Sequence, residues 1–345
     1  MEKLFPIEKP DWDQFFSSRL AMIWVGHATS LVRLDGLTFL MDPIFSERCS
    51  PVQWFGPKRF RPVPFTIAEL AAACRAHGAA GVDAVFISHN HYDHLDRCSI
   101  HELARTFPQC RFYVPLGLRD WMVCEGCGRD RVTELTWWQD VALKPNASGG
   151  LPEGNKSYRV ICVPAQHWTA RNLLFDRSRC LWGGWIVESP AASLRFYFTG
   201  DTGYSSKLFP AIGAHYGPMS LCAIPIGAFH PRRLLGAMHV APEQSVQIHR
   251  DVRSEHSVGV HWGTFLLGGE QVEDPPRVLH ESLVEARVPT DAFVTVRHGA
   301  VHVVKHWCLI SICHNLCFFC IAHLSNILWT NTLCNVVLTS FHACA

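Results

Sequence analysis

Charge is the first thing this sequence has little of. Its 31 Lys and Arg nearly balance 30 Asp and Glu, leaving a formal net charge of +1 over 345 residues. That balance excludes the cationic excess on which sequence-independent nucleic-acid binding depends, and no basic arm is present. The N-terminal "MEKLFPIEKPDWDQFF" has acids among its first residues and lacks the apolar core of a secretory signal peptide, so an intracellular, non-secreted protein is expected. The 15 cysteines lack regular spacing and read as reduced thiols rather than a disulfide framework. No internal repeat and no Pro/Gly linker interrupts residues 20–299, which are read as one domain. Charge disappears altogether after Lys305. In that last segment His314, Asn315, His323 and Asn326 interrupt the apolar run too often for a membrane span. Cys313, Cys317, Cys320 and His323 have zinc-ligand chemistry but no fold around them, and "CEGC" at 124–127 is equally isolated.

What is present supports a sizeable core, since 48% of residues are apolar. "AMIWVG", "SLVRLD" and "LTFLMD" read as short strands, the last two joined by Asp35-Gly36, a pair that tolerates the positive φ of a tight hairpin. Residues 66–77 have helical periodicity, with Thr66 and Glu69 spaced as a capping box. Further strands are predicted at 83–88, 111–115, 158–164, 194–200, 221–227, 257–262 and 292–297, and helices at 241–252 and 275–286. Strands alternating with helices and hairpins predict an α/β layered fold with mixed sheets.

The densest chemistry lies in "FISHNHYDHLD", residues 86–96, directly after an apolar strand. In an extended segment residues two apart point the same way, so His89 and His91 can share one metal. Once the chain turns, Asp93 and His94 can face a second. Imidazole and carboxylate ligands suit Zn²⁺ and, less selectively, Mn²⁺ or Fe. His167, Asp201 and His261 each sit where another apolar run ends, and with the first cluster they are candidate ligands.

This arrangement resembles the metallo-β-lactamase superfamily. The resemblance implies an αββα sandwich of two mixed β-sheets flanked by helices, with a dinuclear site at one edge. It implies that His89, His91 and His167 hold one ion, that Asp93, His94 and His261 hold the other, and that Asp201 bridges both. The motifs "WVGHAT", "DPIFSERCSP", "GPKRFRPVP", "ISHNHYDHLD", "VPLGL", "TELTWW", "FTGDTGY", "AIPIGA" and "IHRDV…HWGTF" resemble, more narrowly, the N-acyl-phosphatidylethanolamine-hydrolysing phospholipase D family, from Trp24 to Gly299. That family likeness implies two Zn²⁺ per chain and hydrolysis of N-acylphosphatidylethanolamine to N-acylethanolamine and phosphatidic acid. Attack on phosphorus by a metal-bridging hydroxide is the implied step. It also implies a homodimer attached peripherally to membrane, at the cytosolic face of endomembranes.

Asp93, Asp201 and His239 are accordingly the expected catalytic residues. His239, in a loop just before a helix, and Tyr92, between two ligands, are the expected substrate contacts; packing of the metal loop is the other role open to Tyr92. His27 in "GHAT" reads as support for the ligands rather than a ligand. "QWFGPKRFRPVPF" (53–65) mixes aromatic and basic residues, which suits either a membrane interface or a Pro-rich surface loop. His230 stands where family members commonly carry an acid. The expected division is an N-terminal segment (1–20), a catalytic domain (21–302) and an apolar Cys-rich tail outside the fold (303–345). The alternatives are a lactonase-like hydrolase on the same fold and a catalytically weak lipid-binding form.

Overall fold

The computed structural model describes residues 6–145, 157–172, 175–190 and 194–304; the expectations for the segment after Lys305 lie outside the described residues. Strands β1 (Leu20–Gly26), β2 (Thr29–Leu34), β3 (Leu37–Met41), β4 (Ala84–Phe86), β5 (Arg111–Pro115) and β6 (Val132–Leu135) form one sheet in that order. The second sheet runs from β7 (Asp140–Leu143) through β8 (Tyr158–Val163), β9 (Gly184–Glu188), β10 (Arg195–Phe198), β11 (Leu221–Pro225) and β12 (Ser257–Val260) to β13 (Phe293–Val294). Strand β14 (Val301–Val303) returns to the first sheet, antiparallel to β1. Both sheets are mixed. In the first, β14 through β3 are antiparallel and β3 through β6 parallel; in the second, β7 through β10 are antiparallel and β10 through β13 parallel.

The first sheet's strands read as unbroken apolar runs because both of its faces are buried. In β1, Leu20, Met22 and Trp24 point into the core shared with the second sheet. Ala21, Ile23 and Val25 point the other way, where helices α2 (Ile67–Ala76) and α3 (Arg97–Thr106) cover them with Ile67, Leu70, Ile100 and Leu103. Phe86 lies at the centre of the sandwich, stacked on Tyr113 at 5.0 Å and edge-on to Phe39 at 5.5 Å. The expected αββα sandwich is thus the observed one. The capping box of α2 forms as predicted: Thr66 accepts from the Glu69 N–H while Glu69 accepts from Thr66.

The remaining helices are α1 (Trp12–Ser17), α4 (Arg119–Cys124), α5 (Leu208–Tyr216), α6 (Arg232–Leu235), α7 (Pro242–Asp251) and α8 (Asp274–Glu285). Helix α1 lies within the first 20 residues and buries Phe15 in the core against α2. At the other end Val303 pairs with Ala21, and the Val304 N–H donates to the Leu20 carbonyl. The strand expected at 292–297 pairs only at Phe293 and Val294. Beyond it the chain leaves the sheet edge to set His298 against Thr264 Oγ1, at 2.8 Å, and the Trp24 ring. Among the described residues no helix is long and apolar enough to cross a membrane.

Against the first residue of β12, His249 of α7 is buried, with Nδ1 2.8 Å from Ser257 Oγ. Burial, with a smaller contribution from His256, lowers its pKa from 6.5 to about 4. Between these values the unfolded chain takes up a proton that the folded chain refuses, so stability rises with pH across the window and falls on acidification. His249→Asn is expected to flatten that slope in urea melts recorded from pH 4 to 7. An unchanged slope would show that His249 does not couple folding to protons.

Candidate metal centre

Because β1, β3, β4, β8, β10 and β12 share one direction within their sheets, their carboxyl ends emerge where their loops can meet, the usual place for ligands in such sheets. Those ends carry His27, Asp42, His89, His167, Asp201 and His261. Three of them take the left-handed backbone that side-chain-bearing residues avoid: His27 (φ 51°), Asp42 (φ 39°) and His261 (φ 64°). Each such conformation costs about 1–3 kcal/mol and is retained where packing enforces it. Before Asp201, Gly200 has φ 63°, and a Cβ there would come within 2.9 Å of the Ser88 side chain and the Gly183 carbonyl.

The loop from His89 to His94 folds as a tight turn, with the His94 and Leu95 N–H groups donating to the His91 carbonyl. It brings His89 Nε2 to 2.8 Å from His91 Nδ1, and His167 Nε2 lies 3.3 Å from the same atom. Beside this triad, His94 Nε2 and His261 Nε2 lie 3.2 Å apart. Both are 3.1 Å from the Asp201 carboxylate, and at 3.5 and 3.6 Å from Asp93 Oδ2. Asp201 Oδ2 is also 3.8 Å from His167 and 4.0 Å from His89. The structure therefore brings all seven expected ligands together, in two groups of three with Asp201 between them.

The outward-facing nitrogens explain why the others face inward. His94 Nδ1 is 2.6 Å from Asp42 Oδ2. Ser88 donates to Asp42 through both its N–H and its hydroxyl, which leaves that hydroxyl to accept from His89 Nδ1 at 2.9 Å. His167 Nδ1 donates to the Met238 carbonyl at 3.1 Å. In His89 and His167 these bonds place the proton on Nδ1 and leave the Nε2 lone pair pointing into the cluster, and the bond to Asp42 turns His94 Nε2 the same way. His91 faces it with Nδ1, and its own buried Nε2 has no partner. One hydrogen bond cannot satisfy three converging ring nitrogens, whereas a cation can. The donor set fits a metal ion.

Electrostatics agree. Burial drives His89 well below its ordinary pKa and His167 to about 3, so both present neutral imidazoles. Burial also acts on His94 and His261, but the Asp201 carboxylate, among others, overcomes it; His94 rises well above its ordinary value and His261 to about 9. Asp93 and Asp201 resist the effect of burial and stay ionised because histidines surround them. The buried Asp201 and half-buried Asp93, both ionised, call for positive charge.

His27 lies where support was expected: its Nε2 is 2.9 Å from Asp93 Oδ2. His239 Nδ1 sits 3.8 Å from Asp201 Oδ2, and burial lowers its pKa. Tyr92 lines the same space but lays its ring 4.1 Å from the Arg171 guanidinium. His230 is exposed at its side chain and donates its backbone N–H to Glu270. In the 53–65 stretch Trp54 and Phe55 are exposed, but Arg59 and Arg61 turn inward and are buried. Arg59 donates to the Ile44 and Ser46 carbonyls and lies over Phe265, so of the expected interfacial cations there only Lys58 stands in solvent. Sequence reasoning missed Asp42, Arg171 and the apolar wall formed by Trp168, Leu235, Met238 and Leu267. Asp42 had a signal, since it ends the run "LTFLMD" as the ligands end theirs; the others had none.

Fold and site define a metal-dependent hydrolase, and residues 38–262 match the model of the beta-lactamase superfamily domain. The chain is 37% identical over 307 residues to N-acyl-phosphatidylethanolamine-hydrolyzing phospholipase D 1 of Caenorhabditis elegans, covering 87% of this chain and 81% of that one. It is 33% identical to the mitochondrial enzyme of the same name from Saccharomyces cerevisiae, over 76% of this chain and 51% of that one. A metallo hydrolase from the archaeon Ignicoccus hospitalis shares the fold with a TM-score of 0.56 at 17% identity, over 84% of this chain and 99% of that one. The chain belongs to the N-acyl-phosphatidylethanolamine-hydrolysing phospholipase D family.

Asp42 touches one ligand of each group, directly or through Ser88. Asp42→Asn would face His94 Nδ1 with an amide and favour the wrong tautomer. Metal affinity, read by chelator competition, is expected to fall about 10–100-fold; unchanged affinity would contradict this role.

Proposed function

We propose that this chain is a zinc-dependent phosphodiesterase that hydrolyses N-acylphosphatidylethanolamine to N-acylethanolamine and phosphatidic acid. The observation that carries this reading is the cavity of about 400 Å³ over the cluster. Its floor holds His91, Asp93, Asp201 and His261, and its walls are Trp168, Leu235, Met238 and Leu267. A charged floor beneath apolar walls suits a phosphodiester that carries aliphatic chains. The activity named for the nematode and yeast relatives supports the same substrate.

His89, His91 and His167 would hold one zinc ion and Asp93, His94 and His261 a second, with Asp201 shared. Two such ions supply Lewis acidity and a nucleophilic water at neutral pH. Hydrolysis forms one P–O bond from water and breaks the bond to the N-acylethanolamine oxygen, which must gain a proton. His239, neutral by burial and at the cavity wall, is placed to take a proton and return it to the leaving oxygen. The apolar wall excludes bulk water and orients the chains. Outside the cavity, Leu234 and Leu266 are exposed beside the lining residues Leu235 and Leu267. Trp54 and Phe55 project from a loop tied to the same segment by the Phe60 N–H to Thr264 carbonyl bond. These side chains suit peripheral attachment to a lipid surface, at the cytosolic face of endomembranes and as a homodimer in keeping with the family likeness.

The test uses purified protein with vesicles of N-acylphosphatidylethanolamine and phosphatidylcholine, with products identified by mass spectrometry. Both products are expected, and neither with His89→Ala. His239→Gln is expected to lower kcat by about 10²–10⁴-fold at unchanged metal content. Metal-loaded protein that forms neither product would overturn the substrate assignment.

A further inference from the structure

The loop that follows His167 turns back onto the loop that carries His89 to His94, and it does so through one side chain. Arg171 Nη1 donates to the Asn90 carbonyl at 3.0 Å and to the Leu95 carbonyl at 2.7 Å. These two carbonyls bracket the turn that presents His91, Asp93 and His94. The guanidinium is held between two rings, with its carbon 4.1 Å from the Tyr92 centroid and 4.8 Å from that of Trp121. Tyr92 belongs to the same metal turn; Trp121 belongs to α4. The backbone of Arg171 is fixed as well, because its N–H and that of Asn172 donate to the Asp176 carboxylate at 2.9 and 2.7 Å.

A planar cation fits this position for physical reasons. The guanidinium stacks by its faces and donates in its plane, so it can hold a ring and two carbonyls at once; an ammonium cannot do both. A hydrogen bond from a charged donor is also stronger than a neutral one and contributes about 1.5–3 kcal/mol. The turn's own hydrogen bonds converge on the His91 carbonyl and leave its two ends to be fixed from outside. Arg171 fixes both.

We propose that Arg171 is a positioning residue for the metal centre: through Asn90, Leu95 and Tyr92 it sets the turn that presents His91, Asp93 and His94, and it locks that turn to the loop leaving His167. The proposal rests on the metal-site reading above. It also gives Tyr92 a role, as the inner plate of the clamp. Arg171 lines the cavity as well, so a direct contact with substrate phosphate is the rival role the test must separate.

The variants are Arg171→Met, which keeps the bulk of the stem; Arg171→Lys, which keeps the charge; and Trp121→Leu, which removes only the outer plate. Zinc affinity is measured by chelator competition on the full chain, and the metal-free proteins are compared by thermal melting. Arg171→Met is expected to bind zinc about 10–100-fold more weakly and to lower kcat more than it raises KM. Arg171→Lys is expected to restore little of either, and Trp121→Leu to shift zinc affinity in the same direction by a smaller factor. If Arg171→Met binds zinc as tightly as the parent while KM rises, the side chain contacts substrate and the proposal is wrong. If Arg171→Met or Trp121→Leu lowers the melting temperature of the metal-free protein but leaves zinc affinity and kcat of the folded protein unchanged, the role is only structural and the proposal is equally wrong. Failure of the parent chain to bind zinc at all would instead overturn the metal-site reading.

Discussion

The architecture of this site depends on compensating the clustered carboxylates of Asp93 and Asp201. Asp201 is buried and Asp93 half-buried at the cavity floor, and an isolated carboxylate withdrawn from water is costly to keep in ionised form. The chain answers with ring nitrogens from both sheets, set 3.1–3.6 Å away on His94 and His261. That requirement explains features which are unfavourable taken singly. Left-handed backbone at His27, Asp42 and His261 and a glycine at position 200 are what bring strand ends from two sheets to a common point.

The same requirement shapes the next layer. A histidine serves a cation only when the correct nitrogen carries its proton, and Asp42, Ser88 and the Met238 carbonyl impose that choice. Met238 also lines the cavity and adjoins His239, so this part of the cavity wall is bonded directly to His167. Arg171 applies the same logic to backbone, tying the two ligand loops together from outside. Ligands, their hydrogen-bond partners and the cavity wall are therefore parts of one connected unit.

Much of this was legible in the sequence because the signals were local. The 89–94 cluster, and the polar residues ending separate apolar runs at 167, 201 and 261, can each be read without knowing the fold. The Thr66–Glu69 cap and the Asp35-Gly36 hairpin are equally local. Arg59 and Arg61 show where local reading fails: in "GPKRFRPVP" they look like surface cations, yet carbonyls of Ile44 and Ser46 and the Phe265 ring draw Arg59 inward. Arg171 fails for the same reason, since its partners are Asn90 and Leu95, some eighty residues away. Burial on both faces also hid the first sheet's alternation, because a strand between two cores has no polar side.

The measurement that tests the account most directly is metal content combined with metal position: zinc per folded chain by elemental analysis, and anomalous scattering from crystals at the zinc edge. The account predicts two ions per chain, one among His89, His91 and His167 and one among Asp93, His94 and His261, with the second lost first in His261→Ala. A single ion, or ions bound away from these residues, would contradict it.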